Sequence, residues 1–322
     1  MQSPWTIGID ISKSTFDAAI LLENNKLKTK KFDNQSNGFL AFIEWFKKHH
    51  LNPHICLEAT GIYGEALATY LYEAGYEVSV VNPAQIKGFA QSELARNKTD
   101  KADSQLIAGF CKAIHPRLWK PKSPHVRELG ALVRRLQGLQ GIHHQEVNHL
   151  EAAISATIRT SIETIVQHLE KEMAQFKKMI KDHINLYPDL RDKQQLLKTI
   201  PGIGEATIAQ ILAFIGNIED FENAKQLAAF VGLNPQKRQS GSSVNGRTRL
   251  SKIGNADLRK AFYFPAIVAK QHNPVMKAFG ERLQASGKPT MLVISAIMRK
   301  LIHIIYGVLK SGKAFDPNLA TA

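Results

Sequence analysis

The chain has 322 residues, 44% of them hydrophobic and 22% charged, which at ~150 residues per domain predicts two or three domains with a core that needs no staples. Disulfide miniproteins, collagens and wholly disordered chains are thereby excluded. With 42 Lys and Arg against 28 Asp and Glu the net charge is +14 and the pI about 9.7, a surplus that attracts polyanions, nucleic acid first and an acidic membrane surface second.

Cys56 and Cys111 are the two cysteines, far apart in sequence and without a CxxC, which argues against a disulfide framework or a thiolate zinc site and fits a reducing cytoplasm. The N-terminus has no basic stretch followed by a long apolar one, so no signal peptide is expected. The most apolar late stretch, 291–309, is interrupted by Arg299, Lys300 and His303, so no membrane span is expected.

Residues 5–11, 16–22 and 27–33 read as three short strands of an antiparallel meander, with Glu23, Asn24 and Asn25 as a turn. Phe39, Phe42, Ile43 and Phe46 then recur at helical spacing. A strand at 54–59, a helix from about 62 to 74, a strand at 77–82 ending at Pro83 and a helix beginning near Thr99 follow. Three strands followed by alternating helix and strand predict a mixed α/β sheet, closed by Pro116, Pro121 and Pro124. From Val126 to about Ile184 the pattern is long helices, with Ile162, Ile165, Leu169, Met173, Phe176 and Ile180 spaced by three and four. A bundle scaffold and a stalk that pairs subunits both fit. Beyond Leu196 the chain reads as helical with Gly-rich interruptions. The expected domains are 1–122, 123–188 and 189–322.

Four acids stand where acids are costly. Asp10 lies inside the first strand, on the side of Thr6 and Gly8, while Ile7, Ile9 and Ile11 take the other. Glu58 repeats the pattern at the end of HICLEAT, before Gly61, at the sheet edge where open α/β folds hold ligands. Asp100 and Asp103 share a helical face. Asp100 also suits a helix N-terminus for its own sake, whereas Asp103 continues a stripe with Ile107, Phe110 and Ile114. Clustered carboxylates repel one another unless a cation intervenes, and an all-oxygen set suits Mg²⁺ or Mn²⁺. In a basic protein such cations point to phosphoryl transfer on nucleic acid. The strand order and the placement of the acids resemble the ribonuclease-H-like (RuvC-like) fold of Holliday-junction resolvases.

In the C-terminal half, Leu197 to Ala206 contains PGIG and looks like a helix-hairpin-helix, where Gly202 and Gly204 would let backbone amides approach a phosphate. Residues 236–260 hold seven basic side chains (Lys237, Arg238, Arg247, Arg249, Lys252, Arg259 and Lys260) against Asp257, so +6 of the charge sits there. Within this patch lies the Ser/Gly segment Gln239-Ser240-Gly241-Ser242-Ser243. Alone it reads as a solvated loop; beside PGIG and the four acids, a serine hydroxyl flanked by guanidinium groups has the parts of a nucleophile for a phosphodiester.

GIDIS, LEATGIY, NKTDKADS, PGIG, QSGSSVNGRTRLSKIGNADLR and MRKLIHIIYGVLKSG, in this order over nearly the whole chain, resemble the DEDD-type insertion-sequence transposases that move under the direction of a bridge RNA. The resemblance implies an α/β RuvC-like metal-binding domain, a coiled-coil segment and a mainly α transposase domain. It implies that Asp10, Glu58, Asp100 and Asp103 hold Mg²⁺ or Mn²⁺, and that Ser240 forms a transient phosphoserine, with Ser242 and Ser243 as rival serines. Gly202, Gly204, Lys237, Arg238, Arg247, Arg249 and Lys252 would bind nucleic acid. The partners implied are donor and target DNA, a guide RNA and further copies of the chain in a dimer or tetramer, acting in a bacterial cytoplasm. Ser104 stands where family members often have Ala. The competing readings are a resolvase-like nuclease without a covalent intermediate and a noncatalytic nucleic-acid-binding module. GIDIS also opens sugar kinases and actin-like ATPases, but those require a second copy of the domain with its own phosphate loop, and no strands for it are expected after residue 190.

Overall fold

The computed structural model describes residues 5–22, 26–49, 52–59, 61, 63–94, 99–240 and 244–318, with the backbone alone at 237, 238, 240, 244, 245 and 247. The chain divides into two units, residues 1–121 and 122–322.

In the first unit, strands β1 (Thr6–Ile11), β2 (Thr15–Leu21) and β3 (Leu27–Asp33) form the meander. The turn expected at Glu23 to Asn25 lies outside the described residues. Helix α1 (Ser36–Lys47), strand β4 (His54–Glu58), helix α2 (Glu65–Glu73) and strand β5 (Glu77–Val81) follow, giving a sheet of order β3-β2-β1-β4-β5. β1 runs antiparallel to β2 and parallel to β4, which is the mixed, ribonuclease-H-like arrangement. Alternation along the strands sorts the side chains. Ile7, Ile9, Ile11 and Phe16 bury on one face, in a cluster with Phe39, Phe42 and Phe46 of α1 and Leu67 and Leu71 of α2.

Pro83 ends the sheet as expected and also opens a helix that the sequence pattern does not reveal, α3 (Pro83–Ser92). Asn82 caps it by accepting from the Ala84 amide, and proline is favoured in a first turn, where no amide proton is needed. Helix α4 (Asp100–Ile114) begins at Thr99, whose hydroxyl accepts from the Ala102 amide. α4 covers the second face of the sheet, and its inward stripe is Ser104, Ile107, Ala108 and Cys111. Ile114, expected to continue the line of Asp103, is instead 54% exposed at the helix end.

The cysteines are also corrected. Cys56 and Cys111 are joined as a disulfide, with Cα atoms 5.9 Å apart, because α4 crosses directly over β4. A separation of 55 residues gives no hint of that crossing.

In the second unit, the stretch expected to be long helices is a hairpin of α5 (Pro124–Ala152) and α6 (Ala156–Leu186). The Arg159 guanidinium closes the break by donating to the Leu150 and Ala153 carbonyls. Along α6 the inward line passes through Val166 rather than Ile165, which is 44% exposed. Helices α7 (Pro188–Lys198) and α8 (Glu205–Ile215), a single 3-10 turn (Ile218–Asp220) and α9 (Ala224–Val231) come next.

The segment read as a Ser/Gly loop is a β-ribbon, β6 (Pro235–Ser240) paired antiparallel with β7 (Val244–Leu250). Such a ribbon is held by main-chain bonds and lacks the apolar alternation by which strands are recognised. Helices α10 (Ala256–Ala261), α11 (Tyr263–His272), α12 (Pro274–Ala285) and α13 (Thr290–Ser311) complete the unit. One core gathers Val126 and Leu129 of α5, Ile180 and Ile184 of α6, and the inner faces of α7 to α13. α13 is long and apolar enough to cross a membrane, but half of its apolar stretch is buried in this core, including Ile297, Leu301 and Ile305.

Candidate metal centre and serine hairpin

The acid site depends on how closely α4 lies on the sheet. Gly8 makes that approach possible, since a Cβ there would stand 2.1 Å from the Ala108 nitrogen and 2.2 Å from the Ser104 carbonyl oxygen. Beside it, the Thr6 hydroxyl donates to the Ala108 carbonyl (3.2 Å). Thr6, Gly8 and Asp10 therefore face α4. Their parallel partners His54 and Cys56 share that face, and Glu58 comes two residues further along β4. α4 runs with its first turn, Asp100 and Asp103, at the carboxyl ends of β1 and β4. The structure thus gathers the four acids singled out in the sequence, three of them half-buried and Asp100 exposed.

The gathering has an electrostatic consequence. The Asp10 carboxyl is pushed up from 3.8 to about 6 by burial, then by the facing carboxylates of Asp103, Asp100, Glu58 and Asp17. A half-buried acid raised by four neighbours of its own sign is a place where a divalent cation is stabilised, and all of the donors are oxygens. The residues fit a hard cation.

Two members of the site are not evident from the sequence. Asp17 of β2 is the direct cross-strand partner of Asp10, and Lys31 of β3 is the partner of Asp17. The Lys31 ammonium lies 3.2 Å from an Asp17 oxygen and 3.9 Å from an Asp100 oxygen. The signal for both was the meander itself, whose register fixes which positions stand opposite.

The second set of residues lies in the other unit. Ser240 is the last residue of β6, its backbone paired with Val244, while Ser242 and Ser243 lie outside the described residues. Of the basic residues, Lys237, Arg238 and Arg247 fall on the ribbon, where the backbone alone is described, and Arg249 and Lys252 are exposed. Arg259 is used internally, its guanidinium donating to the Val231 and Lys252 carbonyls.

In PGIG, Gly202 takes φ +99° and presses against Ala269, where a Cβ would come within 2.7 Å of the Ala269 Cβ. Packing alone therefore demands this glycine. Gly204 is the N-cap of α8, with nothing within 4 Å of a Cβ placed there. Glu205 follows it in the first turn, 3.4 Å from the Lys198 ammonium.

Residues 7–158 match the DEDD family model described as a transposase, and residues 194–281 match the model described as the transposase IS116/IS110/IS902 family. The chain is 35% identical to the pilin gene-inverting proteins of Moraxella bovis and Moraxella lacunata, over 97% of its own length and 98% of theirs. It is 23% identical to the transposase for insertion sequence element IS1111A of Coxiella burnetii, over 83% of this chain and 78% of that one. Matched in both halves, and aligned nearly end to end with the Moraxella proteins, the chain belongs to the IS116/IS110/IS902 family of insertion-sequence transposases, with an N-terminal DEDD domain.

Proposed function

We propose that this transposase cuts and rejoins DNA through a phosphoserine at Ser240, with Asp10, Glu58, Asp100 and Asp103 holding the Mg²⁺ or Mn²⁺ that the reaction requires. The observation that carries the reading is the convergence of the acids on the α4 face, which raises Asp10 to about 6. Held by these carboxylates, divalent cations would supply positive charge to a reacting phosphate. In the first step the Ser240 oxygen gives up its proton and bonds to phosphorus, the strand's P–O bond breaks, and the departing oxygen takes up a proton to leave as a hydroxyl. In the second, a hydroxyl of the other strand attacks the phosphoserine and the serine is regenerated, so no external energy source is needed.

Gly204, Lys237, Arg238, Arg247, Arg249 and Lys252 would hold the DNA backbone, with Gly202 shaping the turn beside them. A guide RNA and assembly into a dimer or tetramer rest on the family resemblance, and the net charge suits RNA as well as DNA. The names of the relatives favour two outcomes of the same chemistry, movement of an element and inversion of a segment.

The test is a denaturing gel of end-labelled DNA incubated with the full chain and Mg²⁺. The expected result is a protein–DNA adduct that is absent in Ser240→Ala, while that variant still binds DNA. An adduct that persists in Ser240→Ala and vanishes in Ser242→Ala or Ser243→Ala moves the role to that serine. Cleavage without any adduct in the wild type replaces this mechanism with that of a resolvase-like nuclease.

A further inference from the structure

The second unit contains a cavity of about 670 Å³ between α12, α13 and the segment that follows α13, within the ~300–1,000 Å³ range of small-ligand sites. Its chemistry is mixed in a particular way. Phe279 of α12 and Phe315 beyond α13 supply aromatic wall, while Arg299, Lys300 and Lys313 supply positive charge against one acid among the described residues, Asp316. Lys300 and Arg282 lie over the Phe279 ring, 5.6 Å and 5.4 Å from its centre.

His303 lines the same cavity, and its Nε2 atom is buried without a hydrogen-bond partner among the described residues. Burial, then Arg299, Lys300 and Lys225, hold the imidazole below its usual proton affinity, so near neutral pH it is an uncharged ring with an unused polar nitrogen. An unpartnered buried nitrogen is costly unless a ligand completes it. Cations, an aromatic wall and one polar ring atom together match a ligand with an anionic group, a flat apolar body and a polar edge.

The cavity is also tied to the PGIG turn and to the β6–β7 ribbon. The Phe315 amide donates to the Thr199 hydroxyl (2.8 Å), at the residue just before Ile200 and the PGIG turn. The Arg299 guanidinium donates to the Asn234 side-chain oxygen (3.0 Å), immediately before β6, and the Asn234 carbonyl accepts from Ser251 where the ribbon ends.

We propose that this cavity receives one unpaired nucleotide of a bound strand, its base against Phe279 and His303 and its phosphate on Arg299, Lys300 and Lys313. The inference rests on the reading of the chain as a DNA recombinase and adds to it a place where a base leaves the stack. DNA and RNA strands present the same chemistry here, and the experiment separates them.

Gly307 gives the test. It lies within α13, lines the cavity and has nothing within 4 Å of a Cβ placed there, so Gly307→Leu fills the space without backbone strain. Binding is measured with the full chain and duplexes carrying one unpaired fluorescent adenine analogue, in DNA and in RNA, against the same duplexes fully paired. The wild type should bind one bulged duplex about tenfold more tightly than its paired form, as expected for one stacked base. Gly307→Leu should abolish that preference and His303→Leu should weaken it, both keeping wild-type affinity for the paired duplex, which reports an intact fold. The duplex type that shows the preference identifies the source of the nucleotide. Equal preference in wild type and Gly307→Leu, or no preference in the wild type, overturns the pocket and leaves the recombinase standing. A wild type that binds no duplex overturns the recombinase reading itself.

Discussion

Asp10 carries the clearest consequence at the scale of single residues. Its carboxyl titrates at about 6 in the folded protein and at 3.8 in an ordinary setting. Between those values the folded chain keeps a proton that the unfolded chain has released, so metal-free protein should lose stability as the pH rises from about 4 to about 6. Asp10→Asn removes that loss, so its metal-free melting temperature should exceed that of the wild type above pH ~7. Mg²⁺ should raise the wild-type melting temperature there and leave Asp10→Asn nearly unmoved; an equal Mg²⁺ response in both proteins would sink the metal site. Asp103→Asn should reduce the same response and abolish strand cleavage. Asp10, Glu58 and Asp103 were legible because acids within apolar patterns are conspicuous, and Asp100 because it shares a helical face with Asp103. Asp17 and Lys31 were not, since each is ordinary in its own strand and becomes part of the site through cross-strand register alone.

The space around each of the three motif glycines, Gly8, Gly202 and Gly204, separates what they do. Gly8 lets α4 reach the sheet, and an alanine there would drive its Cβ into the helix backbone, where neither atom can yield cheaply. Gly8→Ala should lower stability by about 1–3 kcal/mol, seen as a lower denaturation midpoint, and should weaken the Mg²⁺ response because α4 carries Asp100 and Asp103. The PGIG glycines separate in the same way. Gly202→Ala meets both a left-handed φ and Ala269, so it should destabilise the second unit whatever that turn binds. Gly204→Ala meets open space and should cost under about 1 kcal/mol, so weakened DNA affinity in a folded Gly204→Ala protein would report approach to a phosphate. Sequence periodicity located the strands and helices that bury an apolar face. It passed over the ribbon of β6 and β7, which pairs through its backbone, and over α3, where one buried residue, Ile86, leaves little pattern to read.

Across the whole molecule the charge is divided unevenly. Residues 1–121 contain 14 Lys and Arg against 12 Asp and Glu, so residues 122–322 hold the remaining 28 against 16, which is +12 of the net +14. The unit with the acid cluster is nearly neutral, and its carboxylates repel a phosphate until a cation is bound. Affinity for nucleic acid should therefore reside in the second unit and survive removal of the metal, whereas cleavage should not. Titrating DNA binding against salt checks this. Because each phosphate contact contributes about 0.9 to the slope of log affinity against log salt, Arg249→Ala should flatten that slope by about one contact, alike for unrelated sequences. Chelating the divalent cation, or substituting Asn for Asp10, should leave the slope where it is. If chelation instead flattens it as much as Arg249→Ala does, the backbone is held through the acid site, and the division of labour between a DNA-holding unit and a metal-holding unit is wrong.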